Sequence, residues 1–183
     1  MSLNLDSARQ IKGWMSDPEL EWLARTAKGK KLIVEFGSYL GRSTRALCDN
    51  TDGLVIAVDP WDGVYYNNDG QPINILKQGA YELFRINVND HLESGKLEAI
   101  RCRSTEFPTV STGRVDFLFI DADHRYEAVK QDIDIARKLV KPNGIIAGHD
   151  YGRSDWPGVQ QAVDEIYPNC QKCDTIWWTT NQK

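Results

Sequence analysis

The sequence holds few of the residues that build soft-metal or redox sites: three histidines and four cysteines in 183 residues. The cysteines stand at 48, 102, 170 and 173, so only Cys170 and Cys173 form a CxxC pair. A structural zinc site wants a second pair, or histidines at matching spacing, and His91, His124 and His149 do not supply it. A reactive CxxC opens a helix. This one follows Pro168-Asn169 and leads into the strand-like run Thr175-Ile176-Trp177-Trp178, so it reads as inert. No apolar run approaches the roughly 18 residues of a membrane span. Met1 to Arg9 lacks the apolar core of a signal peptide. There is no internal repeat, low-complexity tract or linker. Positive charge is not in excess either: 22 Lys plus Arg stand against 26 Asp plus Glu, a net charge of −4. That balance argues against a broad grip on nucleic acid or an anionic membrane. The expected setting is the cytosol or an equivalent reducing space, and the expected partner is a small molecule.

Apolar residues make up 41% and charged residues 26%, the composition of a globular chain. One domain over residues 1–183 is expected, with 1–29 as an N-terminal helical segment packed on it. Asp17-Pro18 reads as N-cap and first turn of a helix running to about Ala27. Lys31 to Phe36 reads as a first strand and Ser43 to Asn50 as a helix. Leu54 to Val58 reads as a second strand. A helix from Pro72 would place Leu76, Ala80, Leu83 and Val88 on one face. Leu97 to Arg101 is a weak third strand, and Val115 to Ile120 a clear fourth, apolar but for Asp116. Tyr126, Val129, Ile133, Ala136 and Val140 recur at helical spacing. Pro142-Asn143-Gly144 is a turn into a fifth strand, Gly144 to Gly148. Gly158 to Tyr167 reads as the last helix, and Gln171 to Thr180 as one or two closing strands. Strand alternating with helix predicts an α/β fold with a mostly parallel sheet. Its ligand site lies beyond the C-terminal ends of the strands.

The first strand ends in Glu35-Phe36-Gly37-Ser38-Tyr39-Leu40-Gly41-Arg42-Ser43. Gly37 and Gly41 frame a tight turn whose free amides offer a polar cradle, with Ser43 or Thr44 as a cap. Tyr39 occupies the second glycine position of the dinucleotide fingerprint, which disfavours close approach of a pyrophosphate. The second strand ends in Asp59, 22 residues past Gly37, where an acid can hold a ribose hydroxyl pair or cap the turn at Pro60. The fourth strand ends in Asp121-Ala122-Asp123-His124 and the fifth in His149-Asp150. Strands four and five are expected to be neighbours, about 4.8 Å apart, so these side chains converge. Asp121 and Asp150 should face each other, with Asp123 on the same side as Asp121 if the strand continues.

These residues resemble class I S-adenosylmethionine-dependent methyltransferases over roughly residues 30 to 166. Val34 to Ser43 is similar to their first motif. Asp59 matches the acid after their second strand. Ile120-Asp121-Ala122-Asp123-His124 matches the motif after their fourth, and Leu139 to Gly144 is similar to the turn before their fifth, with Ile145 in place of a second glycine. Gly148-His149-Asp150-Tyr151 resembles the small macrocin and sugar O-methyltransferase-like subgroup. The resemblance implies a Rossmann-like sheet of seven strands with an antiparallel edge strand and helices on both faces. It implies S-adenosylmethionine as cofactor, with Glu35, Gly37, Ser38, Gly41 and Ser43 along its methionine and ribose part and Asp59 on the ribose. Arg103 and Ser104 would lie against the adenine, although Cys102 stands where the family has glycine. Trp61 would pack over the adenine or the loop, with a core aromatic as the competing reading. Asp121 and His124 would also touch the cofactor.

Similar enzymes hold a divalent cation on the acceptor oxygen. Asp121, Asp150 and His149 are the implied ligands for Mg²⁺, Mn²⁺ or Ca²⁺, with His149 where relatives often have an acid. Asp123 or His149 would take the acceptor's proton. Bland roles compete: Asp123 as a helix cap, His124 at a helix start, His149 in the core. Arg125, Lys130 and Arg153 read as surface charges. Loops at 61–71 and 151–157 would shape the pocket, and Ile176, Trp177 and Trp178 could form a homo-oligomer interface. The resulting expectation is methyl transfer to a hydroxyl of a small polar acceptor. An NAD(P)-dependent oxidoreductase and a non-catalytic cofactor-binding module are the alternatives.

Overall fold

The computed structural model describes residues 2–66, 72–74, 79–107 and 114–182. Two helices, α1 (Asp6–Gln10) and α2 (Asp17–Ala27), precede β1 (Leu32–Phe36), α3 (Arg42–Asn50) and β2 (Leu54–Val58). A short ribbon, β3 (Val64–Tyr66) and β4 (Pro72–Asn74), leads to α4 (Ala80–Asn87), α5 (Asn89–Glu93) and β5 (Leu97–Ile100). Then come β6 (Val115–Ile120), α6 (Tyr126–Leu139), β7 (Val140–Gly148), α7 (Pro157–Ile166), β8 (Gln171–Cys173) and β9 (Ile176–Thr180).

The sheet runs β5-β2-β1-β6-β7-β9-β8. Its first five strands are parallel, whereas β9 is antiparallel to both β7 and β8. This is the seven-stranded, mostly parallel sheet with an antiparallel edge that the resemblance implies. Both faces are covered, which is why the central strands read as continuous apolar runs. Successive residues serve opposite faces. Ile33, Phe117 and Phe119 pack with Leu20, Leu23, Leu47 and Phe84 on one side. Val34, Leu118 and Ile120 pack with Val129, Ile133, Leu139 and Trp177 on the other. Asp116 interrupts β6 for a reason: its Oδ2 accepts the amides of Lys31 (2.6 Å) and Leu32 (2.9 Å), pinning the start of β1.

Several sequence expectations are corrected. The N-cap of α2 is Ser16, one residue before Asp17, because Ser16 and Glu19 form a reciprocal capping box. Pro72 begins a strand, not a helix. The helix starts at Ala80 after Gly79, whose φ of 89° suits the turn into it. Ala80, Phe84 and Val88 form its buried stripe, while Leu83 is 43% exposed. Leu76 lies outside the described residues. Pro142-Asn143-Gly144 sits within β7 as an irregularity: β6 advances from Val115 to Phe117 while its partner moves from Val140 to Ile145. Asn143 takes φ 61° there. In the closing strand Ile176 and Trp177 are buried in the core, while Trp178 is half-buried. Among the described residues no helix is long and apolar enough to cross a membrane. Burial pushes the thiols of Cys170 and Cys173 up, so both stay protonated at neutral pH.

Candidate active site

The ends of β1, β2, β6 and β7 meet at one edge. Gly37 N–H donates to Val58 O (2.8 Å), Asp121 N–H to Phe36 O (2.7 Å) and His149 N–H to Ile120 O (3.0 Å). Gly37 has φ 85°, and a Cβ there would lie 2.0 Å from the Asp121 carbonyl oxygen. Only glycine lets the turn after β1 press against the backbone that leaves β6.

Asp59 organises that turn. Its Oδ2 accepts the amides of Ser38 (2.9 Å) and Tyr39 (3.0 Å), and its Oδ1 accepts that of Trp61 (2.6 Å). Burial pushes the Asp59 pKa up, and the three amides oppose it. A carboxylate has about four lone-pair sites, so one remains for a ligand.

Glu35 lies beneath the turn, fully buried and outside the cavity. Its Oε2 accepts from the hydroxyls of Ser38 (2.7 Å) and Thr44. Its Oε1 has no hydrogen-bond partner among the described residues. Burial raises its pKa to about 7. Glu35 therefore supports the turn and does not line the cavity. Gly41 is likewise displaced from the cavity, since it faces Phe84 and Val88. Trp61 is a core residue: its ring packs on Tyr81 (5.0 Å) and Phe84 (4.7 Å), and Nε1 donates to Tyr39 O (2.8 Å).

A cavity of about 590 Å³ opens above these strand ends. Gly37, Ser38, Ser43, Asp59, Arg103 and Ser104 line one part of it. Arg103 pairs with Asp62 at 2.8 Å. Asp132, from the buried face of α6, also lines it, and burial lifts its pKa to about 7.

The other part carries the acid–histidine cluster. His124 Nε2 lies 2.8 Å from Asp150 Oδ2 and 3.5 Å from Asp121 Oδ1. His149 Nδ1 lies 3.4 Å from Asp150 Oδ2 and 3.6 Å from Asp121 Oδ1. Arg153 Nε stands 3.3 Å from Asp150 Oδ1. Asp121 and Asp150 thus meet across the β6 and β7 ends, but through imidazoles. Both carboxylates are held below the usual range despite burial, by the two histidines. In return the acids raise His124 to about 9 and His149 to about 12, against the burial cost.

Three further expectations change. Asp123 does not join Asp121, because β6 ends at Ile120 and the alternation of faces stops there. It accepts instead from the Arg125 amide and guanidinium, each at 3.0 Å. Arg125 and Arg153, read as surface charges, line the cavity; Lys130 is a surface charge, paired with Glu165 at 2.8 Å. His149 is no free base. Its Nε2 lies 3.1 Å from Glu19 Oε1, and it is held protonated.

Glu19 itself was missed. It also accepts from the Thr175 amide (3.1 Å) and hydroxyl (2.6 Å), and its pKa falls to about 2 with His149 as the chief opposing influence to burial. The Ser16-to-Glu19 spacing was the available signal. For Asp132 the signal was an acid inside the apolar stripe of α6. Of the loop at 61–71, residues 67–71 lie outside the described residues. In the loop at 151–157, Trp156 stacks on His124 with centroids 4.6 Å apart and planes 24° from parallel.

The metal set also shifts. Ligand atoms of Asp121, His124 and Asp150 all lie within 4.8 Å of one another, and His124 Nε2 has no aligned hydrogen-bond partner among the described residues. These three fit a cation better than a set containing His149. Two carboxylates with an imidazole suit Mn²⁺ more than the all-oxygen preference of Ca²⁺.

Residues 34–151 match the family described as "Methyltransferase domain". The chain belongs to that family. Outside this methyltransferase domain lie α1, α2, α7 and the β8–β9 hairpin. The chain is 28% identical over 166 residues to Uncharacterized protein R132 of Acanthamoeba polyphaga mimivirus, covering 83% of this chain and 66% of that protein. It thus spans just under two thirds of that relative's length. Its fold is similar to cofactor-bound Rv0187 from MTB (TM-score 0.68, 17% identity, 98% of this chain and 88% of that one). It is also similar to CalS11, a calicheamicin methyltransferase (TM-score 0.68, 15% identity, 88% and 76%).

Proposed function

We propose that the chain transfers a methyl group from S-adenosylmethionine to a hydroxyl of a small polar acceptor. The observation that carries this reading is the backbone contact between Gly37 and Asp121, which sets the glycine turn directly beside the Asp121–His124–Asp150 cluster. Cofactor and acceptor would meet across that contact. Bound there, S-adenosylmethionine would supply a sulfonium methyl that the acceptor oxygen could take by in-line displacement, with the sulfur leaving as a neutral thioether. Most of the rate then comes from holding the two reactants at the right distance and angle. Asp121 and Asp150 receive the hydroxyl, and Asp123, which lines the same cavity while paired with Arg125, takes its proton. His149 stays a fixed cation that balances the two acids. A divalent cation on Asp121, His124 and Asp150 would lower the hydroxyl's pKa and orient it.

Ser38 and Asp59 would hold the amino-acid and ribose parts of the cofactor, with Arg103 and Ser104 along the adenine. The test is calorimetric titration of the protein with S-adenosylhomocysteine, followed by methyl-transfer assays of Asp121→Asn and Asp150→Asn. Binding in the micromolar range and loss of turnover in both variants are expected. Unimpaired transfer in both would overturn the assignment.

A further inference from the structure

The segment before α2 contributes to the cavity although it lies outside the matched domain. Gly13, Trp14 and Met15 all line it. No helix or strand holds this stretch. Arg42, the first residue of α3, holds it instead. Its guanidinium donates to the carbonyl oxygens of Ile11 (2.8 Å), Arg9 (3.0 Å), Met15 (3.1 Å) and Ala8 (3.5 Å). This strap is thereby tied to the residue that follows the glycine turn. Trp14 stands at the tip of the strap. It is 59% exposed. Its ring lies 5.1 Å from that of Tyr39, tilted by 36°, and Tyr39 also faces the cavity. The charged groups of the cavity are largely committed to each other, as with Arg103 and Asp62 or Arg125 and Asp123. What it offers besides is the exposed face of Trp14, together with the acid–histidine cluster that lines the same cavity.

We propose that Trp14 is an acceptor-selecting residue: it stacks on a ring carried by the acceptor next to the hydroxyl that is methylated. The acceptor is a cyclic molecule with a flat face, aromatic or pyranose, rather than an open-chain polyol. An exposed indole gains from such a face through buried apolar area and ring geometry. This inference rests on the methyl-transfer reading and narrows its substrate class.

The experiment is calorimetric titration of protein saturated with S-adenosylhomocysteine, using catechol, methyl α-L-rhamnopyranoside and glycerol as probes. It is run on the parent chain, Trp14→Ala and Trp14→Phe. At least one ring probe should bind more tightly than glycerol, and which one does identifies the ring type. Trp14→Ala should weaken that probe by about two- to tenfold, the range set by one aromatic contact, and Trp14→Phe should largely retain it. Affinity for S-adenosylhomocysteine should be the same in all three proteins. Ring binding unchanged in Trp14→Ala, or no preference for rings over glycerol, overturns the proposal. A loss of S-adenosylhomocysteine affinity in Trp14→Ala also overturns it, because the indole then serves the cofactor. If the parent chain takes up no S-adenosylhomocysteine, the methyl-transfer reading itself fails and takes this inference with it.

Discussion

Replacing Gly37 by alanine should damage both the fold and the cofactor cradle, and the structure says by how much. The backbone at Gly37 has φ 85°, a region that costs an L-residue about 1–2 kcal/mol. The new Cβ would also lie 2.0 Å from Asp121 O, 2.4 Å from Asp121 C and 2.8 Å from Ala122 Cα. All three are backbone atoms of the β6 exit and cannot rotate away, so relief requires separating two neighbouring strand ends. Overpacking of this kind costs a further 1–3 kcal/mol or so. For a chain of this size each kcal/mol lowers Tm by about 2–4 °C, which places the expected fall at about 4–20 °C. Gly29→Ala is the internal control, because Gly29 has φ 71° but nothing within 4 Å of the new Cβ. It shares the backbone strain and lacks the collision. Thermal unfolding followed by circular dichroism should show Gly37→Ala clearly less stable than Gly29→Ala. Titration with S-adenosylhomocysteine should show binding lost only in Gly37→Ala. Equal stability and equal binding in the two variants would refute the close-approach argument.

Asp59→Ala should weaken S-adenosylhomocysteine binding by about 1.5–3 kcal/mol, the value of hydrogen bonds to a charged group. It should also lower Tm, since three amides lose their acceptor; unchanged values by calorimetry and thermal unfolding would count against the assignment. Burial raises Asp132 from 3.8 to about 7, so its contribution to stability is full below pH 4 and is lost as pH rises to 7. Asp132→Asn should therefore gain stability relative to the parent chain between pH 5 and pH 8, and a difference in Tm that does not vary with pH would contradict this. If a cation assists the reaction, chelator should lower turnover and Mn²⁺ restore it, with Asp150→Asn no longer responding. Turnover that survives chelation but not Asp123→Asn would leave proton removal by Asp123 as the mechanism without metal.

The strands were legible because their two-sided burial writes continuous apolar runs, as in Val115 to Ile120. The glycine turn was legible because few residues tolerate its backbone. The meeting of Asp121 and Asp150 followed from strand adjacency alone. What failed at the site was the direction of the side chains past the end of β6. Past Ile120 no period applies, so the sequence could not tell that Asp123 pairs with Arg125 while His124 joins Asp121 and Asp150. Glu19 reaches His149 from 130 positions away, and no local pattern encodes such a partner. Leu83 was misplaced for a simpler reason: in the short helix α4 an apolar residue matched the spacing, yet Phe84 took the buried position.

The antiparallel closing hairpin bears on how the molecule can be divided. The family match ends at residue 151, but the outer edge of β7 is covered by β9, with Ala147 opposite Trp178 and Gly148 opposite Trp177. A Cβ on Gly148 would lie 2.7 Å from the Trp177 ring, so the indole is seated against bare backbone. An excised fragment of residues 34–151 would uncover that glycine and leave Ile145 to Gly148 as an unpaired, apolar strand margin. Such a margin recruits strands from other molecules. The recognisable domain and the smallest piece that stays dispersed in water are therefore different objects, and the hairpin is what separates them.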